Sequence, residues 1–302
     1  MVSRTIEFYD DGRTWRNTVS NDSVIHSASP DKITFSHVSP QDTIAYATST
    51  DKIHYTRGQV MGSIQRRSAF KKVFVAPPPP PTYDEVVSTD SPVARWKLDE
   101  LTGTIANDSV GTNHGTYAGA TLNQAPLINA GTAVLFSGSA SGITVPDAAA
   151  LDLGAAFTLR AWVKTSSAAA QTLYDKGQSG STWPAYWLRI LAGGTVSCEA
   201  RSGNTDNPKV VATTTVTVND GARHMIDAVF VGSGTLKIYI DGVERASVSH
   251  SIASAWNTAT ALYIGNRAPA YPEPYAGVLD ELALFATALS ESRIITHYNA
   301  GI

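Results

Sequence analysis

A chain of 302 residues is long enough for two domains or one large β-sandwich, since roughly 200 residues fill one well-packed sandwich, so core size excludes nothing. The formal charge of -3 hides an asymmetry: residues 1–76 hold ten Lys/Arg against seven Asp/Glu, leaving thirteen against nineteen for the remainder. Neither imbalance forms a basic stripe. The densest cluster, Arg66, Arg67, Lys71 and Lys72 with Phe70 and Phe74 interleaved, is too short to make nucleic acid the expected partner.

Cys198 is the sole cysteine, so no intrachain disulfide forms, and no motif around it activates the thiol. Met1 to Asp10 is polar where a signal peptide needs an apolar run. No stretch approaches the roughly 18 apolar residues of a membrane helix. The expectation is a protein made in the cytosol, with no signal peptide and no membrane span.

In chain order, residues 1–76 carry short β-rich runs, Lys32–Phe35, Thr43–Tyr46 and Lys52–Tyr55, separated by Ser-Pro, Ser-Thr-Asp and Arg-Gly turn signals. Large aliphatics are few there, so the region reads as an anchor whose strands are completed by a partner. Pro77 to Pro81 is an uninterrupted proline run, a stiff polyproline II spacer or, less simply, a ligand for an aromatic groove. The division expected is 1–76 docking region, 77–90 linker and 91–302 domain.

Beyond Ser91 the pattern becomes regular. Phe157, Leu159, Ala161 and Val163 alternate with Thr158, Arg160, Trp162 and Lys164, which predicts a strand with one buried face. Leu236, Ile238 and Ile240 lead into Asp241-Gly242, with Val243, Arg245 and Ser247 on the return, a tight hairpin. Met225–Val231, Ala261–Gly265 and Val278–Phe285 are further strands. Ser290–Asn299 reads as a helix, Ser290 capping it and Ile294, Ile295 and Tyr298 packing one side. Many strands with one terminal helix predict an all-β antiparallel sandwich, and no repeat suggests a solenoid or propeller.

These residues resemble a known family. Val93-Ala-Arg-Trp-Lys-Leu-Asp-Glu100, Asp108-Ser-Val-Gly111 and Gly115-Thr116 look like the opening of laminin G-like, concanavalin A-like jelly-roll domains. The likeness continues in order through Val134–Gly138, Ile143–Pro146, Phe157–Val163, Tyr239–Gly242, Leu262–Gly265, Leu279–Phe285 and Ala288–Ser290, about two thirds of the chain. A leaderless β-segment, a proline spacer and a small-residue-rich jelly roll also resemble minor tail or other virion proteins of bacteriophages.

The family resemblance implies a possible Ca²⁺ site, for which the matching carboxylates are Asp99, Glu100, Asp108, Asp280 and Glu281, with Asp99, Asp108, Asp280 and Glu281 as the expected ligands and Asp147 and Asp152 as outliers in a nearby-loop role. The alternative role for these groups is capping turns or pairing with Lys97 and Arg160. Neighbours on a strand point to opposite faces, so only one of Asp280 and Glu281 is expected on each side. A glycan or protein surface is expected on the loops Gln178–Trp187, Arg201–Lys209 and Asn266–Tyr275, with Trp183, Tyr186, Arg201, Asn204, Asp206, Arg267, Tyr271 and Tyr275 as ligand-binding residues and Trp187 packed.

Catalysis is not expected. Jelly-roll glycosidases need a Glu-x-Asp-x-Glu-like run holding two carboxyls about 5 to 9 Å apart, and the chain has none. Nucleophile-elbow, Walker and dinucleotide motifs are missing, and the seven histidines are scattered without ligand spacing. The sequence therefore points to a bacteriophage virion protein of the tail or tail tip. Residues 1–76 would contact other virion proteins, the jelly roll would contact host-surface glycan or protein, and an oligomer or many-copy array would supply avidity. A capsid decoration protein and a carbohydrate-binding accessory module of an enzyme are the alternatives.

Overall fold

A computed structural model describes residues 80–139, 141–177, 182–269 and 272–302 in full, and of the preceding chain the course of five short strands. The chain divides into two compact units, Met1–Pro80 and Pro81–Ile302. In the first, β1 (Ser3–Tyr9) pairs antiparallel with β2 (Thr14–Ser20), Phe8 opposite Trp15, and its other edge meets β3 (Ser36–His37). A separate ladder joins β4 (Lys52–Ile53) to β5 (Gly62–Ser63). The expected strands Lys32–Phe35 and Thr43–Tyr46, the basic cluster and most of the proline run lie outside the described residues.

The linker expected to reach residue 90 stops short of it. Thr82 opens α1 (Tyr83–Thr89), accepting from the Glu85 backbone N–H while the Glu85 carboxylate accepts from the Thr82 N–H at 2.7 Å, a reciprocal capping box. Tyr83, Val86 and Val87 are buried, so residues 82–90 belong to the folded unit.

Sixteen strands follow: β6 (Ala94–Trp96), β7 (Ile105–Ala106), β8 (Gly115–Ala118), β9 (Ala120–Gln124), β10 (Ala133–Ser137), β11 (Gly142–Val145), β12 (Ala156–Lys164) and β13 (Gln171–Lys176) come first. Then come β14 (Tyr186–Ile190), β15 (Thr195–Arg201), β16 (Lys209–Thr217), β17 (Arg223–Val231), β18 (Thr235–Ile240), β19 (Val243–Ser249), β20 (Leu262–Ile264) and β21 (Ala276–Phe285), and α2 (Glu291–Gly301) closes the chain. They form two antiparallel sheets, as the all-β sandwich reading requires. The first runs β19-β18-β17-β12-β21-β10-β9, with β6 beside the second half of β21; the other runs β16-β15-β14-β13-β20-β11-β8-β7.

Phe157, Leu159, Ala161 and Val163 of β12 face the second sheet and join one core with Phe136, Tyr174, Leu188, Cys198, Phe230, Ile238 and Leu282. Burial pushes the Cys198 thiol far above its usual range, which keeps it inert. The hairpin forms as read: Asp241 (φ 54°) and Gly242 (φ 79°) adopt the left-handed pair of a primed turn.

β12 departs from expectation in burying both faces. Thr158, Arg160 and Trp162 on its outer side are fully enclosed, because α1, α2 and the segment at Leu127–Ile128 cover this sheet with a second apolar cluster. The Trp162 indole N–H donates to the Tyr83 hydroxyl at 2.9 Å, and Tyr298 of α2 stacks on its ring at 5.9 Å. Within α2, Ile294 is buried while Ile295 is 40 % exposed, so the helix packs along a narrower stripe than its sequence suggested. No helix among the described residues is long and apolar enough to cross a membrane.

A bulge in β21 corrects the expectation for Asp280 and Glu281. Between the Trp162↔Asp280 and Arg160↔Ala283 pairings the register shifts, and Glu281 takes φ 47°. Leu279 and Leu282 both enter the inter-sheet core, so both acids project from the outer face. Two-sided burial makes a direct prediction: Trp162→Ala lowers the unfolding free energy by about 3–5 kcal/mol, comparable to Leu159→Ala between the sheets. Denaturant titration of the two variants reads this, and a loss below about 1 kcal/mol for Trp162→Ala would mean the outer face is not a packed core.

Candidate functional site

Among the described residues no helix packs on the outer face of the second sheet, and the polar pattern changes accordingly. Val196, Cys198 and Ala200 point inward while Ser197, Glu199 and Arg201 alternate with them. Register then aligns Val211, Glu199, Trp187, Asp175, Tyr263, Thr144 and Thr116 across seven neighbouring strands. Trp187 shares the outward parity of Arg189.

Around this row stands a lattice of guanidinium, carboxylate and indole groups. The guanidinium of Arg189 lies 3.6 Å from the Trp187 ring centroid and that of Arg267 lies 4.1 Å from it. Two planar groups that close cannot share one ring face, so they bracket it, and Trp187 is 7 % exposed. Its indole N–H donates to the Thr172 hydroxyl at 3.1 Å. Arg267 pairs with Asp175 and Glu273, each at 3.4 Å, and Arg189 with Glu273 at 3.8 Å. Arg201, buried between Glu199 and Asp206, pairs with both, and Lys209 reaches Asp206 at 2.6 Å. Burial lowers the pKa of Arg189 and of Arg201.

Trp183 is the exposed aromatic of the group, at 40 %. One ring face rests over the Arg201 guanidinium at 4.6 Å, and the Asn204 side-chain oxygen accepts from its backbone N–H at 2.7 Å. The loop after β13 and the loop after β15 are thereby tied together. Of the eight residues expected to bind ligand, the structure gathers Trp183, Arg201, Asn204, Asp206 and Arg267 on one face. Tyr186 and Tyr275 do not join them. Tyr186 has inward parity, donates to the Leu151 carbonyl at 3.0 Å and packs on Phe157, while Tyr275 is wholly buried against Phe136 and donates to the Val278 carbonyl at 3.2 Å. Tyr271 lies outside the described residues, as do residues 178–181.

Asp175, Trp187, Arg189, Glu199 and Glu273 were not foreseen as members of the site. For Trp187 and Glu199 the alternation Tyr186-Leu188-Ile190 against Trp187-Arg189, together with Glu199-Arg201, was a usable signal: the face carrying the charges is the outer one.

The four expected Ca²⁺ ligands do not fit the ion, which needs six to eight converging oxygens. Asp108 accepts from the Arg95, Val110 and Asn113 backbone N–H groups and the Asn113 amide at 3.0–3.1 Å; burial works to raise its pKa, but these donors hold it below the usual range. Asp99 accepts from the Thr132 N–H at 2.7 Å. Glu281 pairs with Arg95 at 2.8 Å and Asp280 accepts from the Leu127 N–H at 2.8 Å; burial pushes Glu281 up to about 7 and Asp280 up to about 8. Among the described residues no group of three or more His, Cys, Asp or Glu side chains is disposed to hold a metal. The oxygens of Asp147 and of the Thr258 and Thr260 carbonyls instead surround the buried ammonium of Lys176, at 2.5, 2.9 and 2.7 Å, with Asp152 at 3.9 Å. This internal cation anchors the end of β13, from which the Trp183 loop departs.

Residues 137–295 match the family model of the concanavalin A-like lectin/glucanases superfamily. Comparison with curated proteins gives no match. Among solved structures, the binding domain of Paraclostridial Mosquitocidal Protein 1 superposes with a TM-score of 0.54 at 14 % identity, covering 70 % of this chain and 52 % of that one. The binding domain of botulinum neurotoxin DC, in complex with rat synaptotagmin II, gives 0.52 at 13 %, covering 70 % and 52 %. A structure of botulinum neurotoxin type C, whose uptake by cells depends on interaction with two ganglioside molecules, gives 0.52 at 12 %, covering 71 % and 52 %. The chain spans about half the length of these structures, and at such identities the likeness is one of fold.

Two outcomes are expected. Trp183→Ala changes stability by less than about 0.5 kcal/mol, whereas Tyr186→Ala costs about 3–5 kcal/mol, the difference between a surface and a core aromatic in denaturant titration. Asp280 carries a folded pKa of about 8 against 3.8 unfolded, so its contribution is fully present below 3.8 and is lost as pH rises through about 8. Stability of the native chain therefore falls over that window by about 1.4 kcal/mol per pH unit, up to roughly 6 kcal/mol, and Asp280→Asn removes that part of the fall, measured as unfolding free energy from acid to alkaline pH.

Proposed function

The chain belongs to the concanavalin A-like lectin/glucanases superfamily, and on that premise we propose that it is a binding protein without catalytic activity, a bacteriophage virion component of the tail or tail tip whose jelly roll contacts host-surface glycan or protein. The observation that carries this reading is the convergence of Trp183, Arg201, Asn204 and Asp206 with Trp187 and Arg267 on a sheet face that no helix among the described residues covers. An exposed indole backed by a guanidinium, rimmed by carboxylates and an amide, is chemistry for holding a polyhydroxylated or peptide surface, and among the described residues the carboxylates of this face are engaged by cations rather than paired for acid–base work.

The division of the chain at residue 80 and the proline run before it support an anchor-plus-module layout, in which residues 1–76 join other virion proteins. Solved neighbours that are themselves binding domains agree with the reading at the level of fold. Many copies per particle would raise the avidity of individually weak contacts. The carboxylates that match a Ca²⁺ site are engaged by protein donors, which supports binding independent of that ion.

The test is sedimentation of the full-length protein with intact host cells, with calcium and with chelator, beside detection of the protein in purified particles. The expected result is cell binding that chelator leaves unchanged and Trp183→Ala weakens about tenfold, with the protein present in particles. Binding unaffected by Trp183→Ala would contradict the site, and absence from particles would contradict the virion assignment.

A further inference from the structure

We infer that the ligand of this face is an uncharged glycan, docked with one sugar ring on the free face of Trp183, and that acidic glycans are disfavoured there. The inference rests on the binding reading given above and names the chemistry of its ligand.

Four cations, Arg189, Arg201, Arg267 and Lys209, stand on the face with four carboxylates, Asp175, Glu199, Asp206 and Glu273, and each cation is already paired. Asp175 is fully buried and Glu199 is 8 % exposed. A carboxylate, sulfate or phosphate on a ligand would have to draw a guanidinium away from one of them, leaving a desolvated anion unpaired, which is among the costliest changes a protein interior meets. Arg201 is the clearest case: its side chain is 2 % exposed and held by Glu199 and Asp206.

The groups that remain accessible are suited to hydroxyls. Asp206, with 49 % of its side chain exposed, and Glu273, with 23 %, keep oxygens on the solvent side that accept from O–H donors. Arg189, 26 % exposed, offers N–H donors without surrendering Glu273. Trp183 supplies the apolar platform: its inner face is covered by Arg201 and 40 % of its surface is open. Trp187 cannot play that part, since both its faces are occupied. An apolar ring face with equatorial hydroxyls around it is the ligand that fits both features, and a neutral pyranose has this form.

The test uses the full chain against uncharged hexose and N-acetylhexosamine oligosaccharides and their sialylated, uronic-acid and phosphorylated counterparts, by calorimetry at roughly 0.05 and 0.5 M sodium chloride. Uncharged members are expected to bind, with affinity changing less than about twofold between the two salts, and Trp183→Ala to weaken them about tenfold. Asp206→Asn, which releases Arg201 and Lys209 from a shared carboxylate, is expected to gain salt-sensitive binding of acidic members. Tighter, salt-sensitive binding of acidic glycans by the native chain would overturn the inference while leaving glycan recognition intact. Capture of a host protein with no sugar bound would overturn it in favour of the protein-binding form of the proposed function, and binding of neither would remove that function as well.

Discussion

Everything in the second unit depends on one strand being buried on both sides. Strand β12 sits at the middle of the first sheet, and its outer face carries Arg160 as well as Trp162. A wholly enclosed guanidinium is tolerated only with a counter-charge, and the register supplies one: Arg160 lies directly opposite Asp227 on β17, bonded at 2.7 Å. From there the network runs outward through the His297 ring on α2, which reaches Asp90 at 2.6 Å, and Asp90 is also held by Arg293 at 2.6 Å. The helices are thus held to the sheet by polar contacts set into an apolar cluster, and α1 is fixed at both ends, with Asp84 on Arg95 and Lys97 and Asp90 on α2.

This arrangement decides which sheet face turns its charged side chains outward. Helices and the Leu127–Ile128 segment occupy the outer face of the first sheet, so its acids at the β21 bulge, Asp280 and Glu281, are sealed beneath other elements rather than presented to solvent. The second sheet has its apolar residues turned inward and its charges turned out, and the loops leaving β13 and β15 meet at its end. The Lys176 ammonium, with its oxygens from Asp147, Thr258 and Thr260, fixes the root of the first of these loops from inside.

How much of this was legible in the sequence varied with the physics involved. Period-two alternation exposed β12, the β18–β19 hairpin and the overall sandwich, because those strands each press an apolar face on the common core. The same alternation in β12 misled on its second face, since nothing local announces that Thr158, Arg160 and Trp162 will be roofed by helices remote in sequence. The Thr82–Glu85 capping box is readable in the sequence, but the adjoining proline run obscures it. Rim residues such as Asn204 and Asp206 were legible as a polar loop between strands, whereas Tyr186 and Tyr275 look the same on paper as exposed aromatics and differ only in parity and in what packs on them. The bulge at Glu281 left no trace in residue type, because a non-glycine residue at positive φ is held there by its surroundings.

Hydrogen–deuterium exchange of the full chain, with and without solubilised fragments of the host cell envelope, tests the proposal that ligand is held on the outer face of the second sheet. The expected result is slowed exchange in residues 182–189, 199–209 and 265–275, with the β18–β19 hairpin and α2 unchanged. Protection confined to the hairpin, to α2 or to the first unit, with those three segments unaffected, would contradict it.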